Sequence, residues 1–229
     1  MNNPLVLIAG GSSAAGIAVA AALVSAGFRV LTVGSDAGRI GAAATLTGGA
    51  VPLTCDLAEP AAVASLAETV HRDHGTVDGL IHLVGGWRGG AGLAAQSDTD
   101  WGFLHRSVLT TLRNTSRAFY DDVAASPGGR IAIVSSTAVT APTPGNANYA
   151  AIKAAAETWV QAMAAGLNPE TGPAAVVLVV KALVDDAMRA ASPERKFPGF
   201  TDVAALGQTV VGLFSTPAGQ LNGARIVLN

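Results

Sequence analysis

The sequence contains a single cysteine, Cys55, in 229 residues. That excludes an internal disulfide and any multi-cysteine metal site, and it is compatible with a reducing cytoplasm, the expected location. Charge is also scarce: 13% of the residues are charged and the formal net charge is -2. So weak a charge argues against nucleic acid or an anionic membrane as partner, and a small, nearly neutral ligand fits better. Internal repeats, long linkers and low-complexity blocks beyond an alanine bias are lacking too. A second domain has nowhere to sit, and residues 1–229 read as one.

A fourth absence needs closer reading, because no residue from Pro4 to Phe28 is charged. Such a run is the profile of a secretory signal or a membrane helix. The preceding Met-Asn-Asn carries no basic side chain for a signal's n-region, and Gly10, Gly11, Ser12 and Ser13 divide the run into two short pieces. Each piece reads as part of a soluble core.

What is present is an alternation of short Val/Ile/Leu-rich runs with longer alanine-rich stretches. This predicts βαβ units around a doubly wound parallel sheet of about seven strands, an α/β fold with helices on both faces. The expected strands are Leu5 to Ala9, Arg29 to Val33, Val51 to Thr54, Gly79 to Val84, Arg130 to Ser135 or Ser136, Ala175 to Val180 and Arg225 to Leu228. Helical spacing of apolar residues marks Ala14 to Ser25, Ala61 to Asp73, Asp100 to Ala124, Ala147 to Ala165 and Thr201 to Phe214, out of about six helices. In such sheets ligands bind beyond the carboxyl ends of the strands, so the residues that follow each strand matter most.

After the first strand comes Ala9-Gly10-Gly11-Ser12-Ser13-Ala14-Ala15-Gly16, leading directly into a helix. Glycine lets the backbone approach a pyrophosphate, and a helix N-terminus offers free N–H groups and a positive dipole end. Ser12 and Ser13 add possible hydroxyl donors. Tight packing of the turn is the competing reason for the glycines. The second strand ends Val33-Gly34-Ser35, without the carboxylate that commonly holds an NAD ribose. Ser35 with nearby Arg39 can accept a 2′-phosphate although Asp36 repels it, which favours NADP(H) over NAD(H). Arg39 as a solvated helix residue stays open. Asp56, after the third strand, is an adenine-site candidate or an N-cap for the next helix. Cys55 reads as core packing.

Tyr149 and Lys153 stand four residues apart among strong helix formers, so both project from one helix face. With two tyrosines and three lysines in the chain, chance alone gives this spacing about one time in forty. Thirteen residues upstream, Ser136 ends a strand at the ligand-binding edge. Reducing a carbonyl by hydride leaves negative charge on oxygen that a nearby acid must neutralise. Moving a tyrosine from a pKa of about 10 towards 7 requires roughly 4 kcal/mol, similar to one cation about 4 Å away at an effective dielectric of about 20. Lys153 is the candidate cation.

Serine, tyrosine and lysine at this spacing, on these elements, resemble the short-chain dehydrogenase/reductase family over nearly the whole chain. The resemblance implies a Rossmann-like three-layer α/β/α fold, with Tyr149 as acid/base, Lys153 as its activator and nicotinamide-ribose ligand, and Ser136 as stabiliser of the substrate oxygen. Gly10 and Gly16 match the first and last positions of the family's Thr-Gly-x-x-x-Gly-x-Gly, while Ala9 and Ala14 replace its threonine and middle glycine. Gly85 matches the glycine of Asn-Asn-Ala-Gly. The cofactor residues implied are therefore Gly10, Ser12, Ser13, Gly16, Ser35, Asp56, Gly85, Tyr149 and Lys153. The resemblance also implies a small carbonyl or alcohol substrate and a homotetramer or homodimer joined through the Asp100 and Ala147 helices.

The departures are specific. Val108 stands where the family has an asparagine that supports a proton-relay water, and Asn114 lies one and a half turns further on. His82-Leu83-Val84 replaces Asn-Asn-Ala, with His82 read as a structural hydrogen-bonder. Lys181-Ala182 and Asp186 replace a Pro-Gly and a threonine that frame the nicotinamide amide. Substrate choice is expected to depend on Asp185 to Phe200 and on the loop around Trp87, where Trp87 either stacks on substrate or covers the core. His71 and His74 lie on a polar helix face with no further ligand nearby, so no metal is expected. Two functions follow: an NADP(H)-dependent carbonyl reductase or alcohol dehydrogenase, or a nicotinamide-binding regulatory or assembly protein that has lost catalysis.

Overall fold

A computed structural model describes residues 3–168, 170 and 172–228; Met1, Asn2, Pro169, Thr171 and Asn229 of the expected 1–229 unit lie outside them. The main sheet comprises β1 (Leu5–Ala9), β2 (Arg29–Gly34), β3 (Val51–Thr54), β4 (Gly79–His82), β5 (Arg130–Ser136), β6 (Ala174–Val180) and a last strand, Arg225–Val227. All seven run parallel in the order β3-β2-β1-β4-β5-β6 and then the last strand. Every residue of β1, β4 and β6 is buried, as expected of strands covered on both faces.

Side-chain alternation divides the core in two. On one face Leu7, Leu80, Ile131 and Val177 pack with Val63, Phe119, Ile152 and Val160, which belong to α3 (Pro60–Asp73), α5 (Thr111–Ala125) and α6 (Ala147–Gly166). On the other, Val6, Ile8, Ile81 and Leu178 meet Val19 and Leu23 of α1 (Ala14–Ser25) and Leu206 and Val210 of α8 (Val203–Leu213). Each such fully buried side chain contributes about 1.5–3 kcal/mol. The uncharged stretch from Pro4 to Phe28 is thereby explained. It is one buried strand followed by a helix packed on the sheet beside α8, where a Cβ at Gly207 would lie 2.9 Å from Ala18 O. Among the described residues no helix is long and apolar enough to cross a membrane.

Several expectations are corrected. The fourth strand ends at His82 instead of Val84: Leu83 N still bonds Ala9 O at 2.8 Å, but the chain then passes over the Gly10 turn. A helix not picked out by spacing, α2 (Ala37–Thr45), is capped by Asp36, whose carboxylate accepts from Arg39 N at 2.7 Å. The expected Asp100–Ala124 helix is three pieces: α4 (Asp98–Leu104), a π-helical segment (His105–Thr110) and α5. Thr201 and Asp202 form β8, paired in parallel with β7 (Leu183–Val184), and α8 begins only at Val203 because Asp202 caps it by accepting from Ala204 N at 2.8 Å. Between them lies α7 (Asp186–Ala191), and α9 (Ala218–Leu221) leads into β9, the last strand at Arg225–Val227.

Candidate active site

β1 and β4 are neighbours, yet β1 connects to α1 on one side of the sheet while β4 continues into residues 83–97 on the other. This switch point opens a crevice beyond the carboxyl ends of the strands. Two cavities occupy it, of about 500 and 560 Å³, and both are walled by Leu83, Val84 and Gly85.

Ser136, Tyr149 and Lys153 all line the first cavity. Ser136 closes β5, and its hydroxyl caps the next turn by accepting from Ala138 N at 3.1 Å. Tyr149 and Lys153 come from the first turns of α6, four residues apart on one face. Lys153 is buried and donates to Val134 O at 2.8 Å. Burial pulls its ammonium down to about 8, with Glu157 one turn along the helix acting in the opposite sense. Burial pushes the Tyr149 phenol up, and a hydrogen bond with Ser136 only partly offsets this. Lys153 Nζ is 5.9 Å from the Tyr149 ring centroid. The expected depression of Tyr149 by Lys153 is therefore not found; the phenol is held in its protonated form. Glu157 ties the site to the sheet edge, because it accepts from Ser135 Oγ and from Arg225 Nε, and Arg225 Nη2 also donates to Ser136 O at 3.2 Å.

The second cavity is lined by Gly10, Ser12, Ser13, Ser35, Arg39, Asp56, Gly85, Arg106 and neighbours. Gly10 has φ +89°, and a Cβ there would lie 2.9 Å from Leu83 C and Val84 N; one on Gly16 would overlap Gly10 O. Both glycines are thus demanded by the turn's own packing, which brings the N-terminus of α1 to the cavity. Ser13 is the N-cap of α1: it donates to Gly10 O at 2.9 Å and accepts from Gly16 N at 3.0 Å. Its hydroxyl proton is spent inside the turn, a correction to its expected part as a free donor. Asp56 caps a short turn, accepting from Ala58 N at 3.0 Å, while Glu59 precedes α3 as its N-cap residue. Asp56 also pairs with Arg106 at 2.9 Å. Arg39 is 3.9 Å from Asp36 and its side chain is 71% exposed. Cys55 is buried, and burial followed by nearby Asp56 raises its thiol.

A dinucleotide fits these walls: two adjacent cavities that share Leu83, Val84 and Gly85, a helix N-terminus at one, and a buried ammonium at the other. Helix N-termini attract phosphate through unpaired N–H groups and the dipole. Arg39 and Arg106 also border the cavity, Arg39 beside Asp36 and Arg106 paired with Asp56 and Glu59.

The departures acquire definite places. Val108 is buried within the π-helical segment, and a Cβ at Gly85 would lie 3.7 Å from Val108 Cγ2 and 3.8 Å from Lys153 Nζ. Asn114 is turned elsewhere, donating to Leu57 O at 3.1 Å. His82 hydrogen-bonds through its ring to its own backbone, in part the structural role expected, but it is 3% exposed and its Nε2 is the one buried side-chain polar atom without a partner among the described residues. Burial, reinforced by the Lys153 cation, lowers its pKa to about 3. Lys181 lines the first cavity and donates to Pro198 O at 3.0 Å. Trp87 is 63% exposed and borders the cavity, so it does not cover the core. Asp186 and the rest of 185–200 do not line that cavity. His71 pairs with Asp122 at 2.8 Å instead of being merely solvated. Sequence reasoning missed Arg106; its signal was only a basic residue in a helix, and its partners Asp56 and Glu59 lie about fifty positions away.

The sequence pattern of the family described as short chain dehydrogenase matches residues 4–196. The chain is 30% identical over 170 residues to a short chain dehydrogenase of Pseudocercospora fijiensis, a match covering 71% of this chain and 54% of that protein. It therefore spans about half the length of that relative. It is 26% identical to the 3-oxoacyl-acyl-carrier-protein reductase FabG of Escherichia coli, over 98% of this chain and 86% of that protein. Its fold is similar to that of a Pseudomonas aeruginosa short chain oxidoreductase containing an atypical catalytic center. The apo form aligns with TM-score 0.87 at 19% identity over 99% of this chain and 95% of that one. The NADPH-bound form gives 0.85 at 20% identity over 98% and 95%. The parallel sheet, the crevice at its switch point and the residues converging there agree with the sequence match: this chain belongs to the short-chain dehydrogenase/reductase family.

Proposed function

We propose that this chain is an NADP(H)-dependent oxidoreductase acting on a small carbonyl or alcohol, working as one domain with Ser136, Tyr149 and Lys153 as its catalytic residues. The observation that carries the reading is the convergence of those three on a cavity that shares the wall Leu83, Val84 and Gly85 with a second one at the N-terminus of α1. When bound, the nicotinamide supplies or accepts the hydride. Tyr149, kept protonated by burial, gives its phenolic proton to the substrate oxygen in reduction and takes it back in oxidation. Lys153, with a pKa of about 8, is mostly charged at neutral pH and offsets the negative charge left on the phenol oxygen. Ser136 donates to the same substrate oxygen. Gly10, Ser12, Gly16, Ser35, Asp56 and Gly85 form the walls for the rest of the dinucleotide, with Ser13 holding the turn in shape.

NADP(H) is preferred because β2 ends without a carboxylate, Ser35 and Arg39 border the cavity, and the Asp36 carboxylate is engaged in capping α2. The NADPH-bound structural neighbour supports the same choice. The buried methyls of Val108 and the engagement of Lys181 with Pro198 favour a second reading, a nicotinamide-binding regulatory or assembly protein without turnover. Calorimetric titration with NADPH and NADH tests the shared premise. Tighter NADPH binding is expected, and no binding of either at millimolar concentration would overturn both readings. Consumption of NADPH with a panel of carbonyl compounds then separates them. Turnover by the wild type that Tyr149→Phe lowers at least about 100-fold, with cofactor affinity kept, supports catalysis.

A further inference from the structure

The first cavity has a floor as well as walls. β4 and β5 pair with His82 opposite Ile133, and the next residue along β5, Val134, accepts the Lys153 ammonium at 2.8 Å. Alternation along β4 puts His82 on the same face as Leu80, the face packed against Val108, Leu112, Ile152 and Ala156. His82 therefore lies beneath the segment of α6 that carries Lys153, on the side where Val108 borders the site.

An ammonium has three N–H donors. Val134 O accepts one. Gly85, beside the ammonium, and Val108, beside Gly85, offer no side-chain acceptor. Below stands a ring nitrogen that is buried and unpartnered among the described residues. Beside a cation the imidazole favours the tautomer that presents a lone pair over the one that presents a second N–H. A buried acceptor without a donor and a buried donor group with N–H bonds to spare thus occupy one small region.

We propose that His82 is a positioning residue for Lys153, its Nε2 accepting a hydrogen bond from one water that in turn accepts from the ammonium, where Val108 supplies no acceptor. The proposal rests on the reading of Lys153 as the cation of the active site. It gives the unusual histidine at the end of β4 a role, that of holding Lys153 charged and aimed into the cavity despite its burial. The titratable groups that face Lys153 are Tyr149 and Glu157 from its own helix and His82 from β4; Glu157 is itself paired with Arg225.

The test is a nuclear magnetic resonance titration of isotopically labelled lysine in the full chain, which contains only Lys153, Lys181 and Lys196. The wild-type Lys153 midpoint is expected near 8. Removing the acceptor disfavours the charged form, so His82→Leu lowers the midpoint by on the order of one pH unit, and His82→Gln, which keeps an acceptor at similar reach, restores it. A Leu variant titrating as wild type, or a Gln variant indistinguishable from Leu, overturns the proposal. Should the Leu variant fail to fold, the wild type still decides. With labelled histidine, the Nε2 of His82 must be unprotonated and its resonance must move as Lys153 titrates; a proton on that nitrogen overturns the assignment. Neither readout uses cofactor. A chain that shows the lysine shift and fails to bind NADPH would lose the functional reading and keep this one.

Discussion

At the scale of single residues, burial dominates the site's electrostatics. Tyr149, Lys153 and His82 all have their pKa moved in the direction that disfavours charge, and the first cause in each case is desolvation. For Lys153 this has a consequence for stability. An unfolded lysine keeps its proton up to its ordinary value of 10.5, whereas the folded one releases it near 8, so the unfolded chain binds more protons between these limits. Stability therefore rises with pH through that window, and below pH 8 a constant penalty remains, on the order of 3 kcal/mol. Lys153→Met removes the penalty and loses one hydrogen bond of about 1 kcal/mol. It is expected to be about 1–3 kcal/mol more stable than wild type at pH 7, with a flatter dependence between pH 8 and 10.5. Urea unfolding at several pH values measures both, and a Met variant less stable at pH 7 would show that Lys153 is not penalised. The opposing demands on one side chain illustrate why functional positions are seldom optimal for folding.

At the scale of elements, local sequence placed most strands and left the joints to longer-range contacts. The helix expected from Asp100 is interrupted because Ser107 and Thr111 return their hydroxyls to carbonyls four residues back, and Arg106 reaches across to Asp56 and Glu59. That π-helical segment puts Arg106 and Ser107 on the wall of the second cavity, where such segments often serve function. At the opposite end of the sheet, Arg130 opens β5 from a buried position. Its guanidinium donates to the carbonyls of Leu213, Gly129, Gly172 and Thr216, joining the ends of α8 and of the strands to one cation. Hydrogen bonds from charged donors contribute about 1.5–3 kcal/mol each in gross terms, and burial of the charge, which lowers its pKa, opposes them. Arg130→Met strands four carbonyls at once, and a loss of about 3–5 kcal/mol is expected in denaturant unfolding, with no change in the Lys153 midpoint. A loss below about 1 kcal/mol would mean that water replaces the guanidinium without cost.

At the scale of the whole molecule, α5 and α6 turn their outer faces away from the sheet and leave a groove of about 380 Å³ lined by Arg117, Tyr120, Trp159, Ala162 and Met163. Within it the polar ends are already engaged: Trp159 Nε1 donates to Ser116 Oγ and the Tyr120 hydroxyl to Met163 O. What remains for a partner is mainly apolar, in keeping with the homodimer or homotetramer that the family resemblance implies across these helices. Light scattering after size-exclusion chromatography is expected to give two or four copies, and Ala162→Arg to reduce the assembly to monomers while leaving the fold intact. A monomeric wild type would refute the oligomer and leave the groove without a role.

The sequence by itself determined the seven strands of the main sheet and the five long helical stretches between them, because buried parallel strands must read as continuous apolar runs and long helices as apolar residues at helical spacing. It also marked Gly10, Ser136, Tyr149 and Lys153, whose meaning depends on spacing within one element or on the end of a strand. Only the tertiary structure decided the rest. That Asp56 answers to Arg106, that Asn114 turns to Leu57, and that the Nε2 of His82 lies unpartnered beneath Lys153 are facts about groups from separate elements. Hydrogen bonding and desolvation act over a few ångströms of space, and distance along the chain carries no record of them until the sheet has assembled.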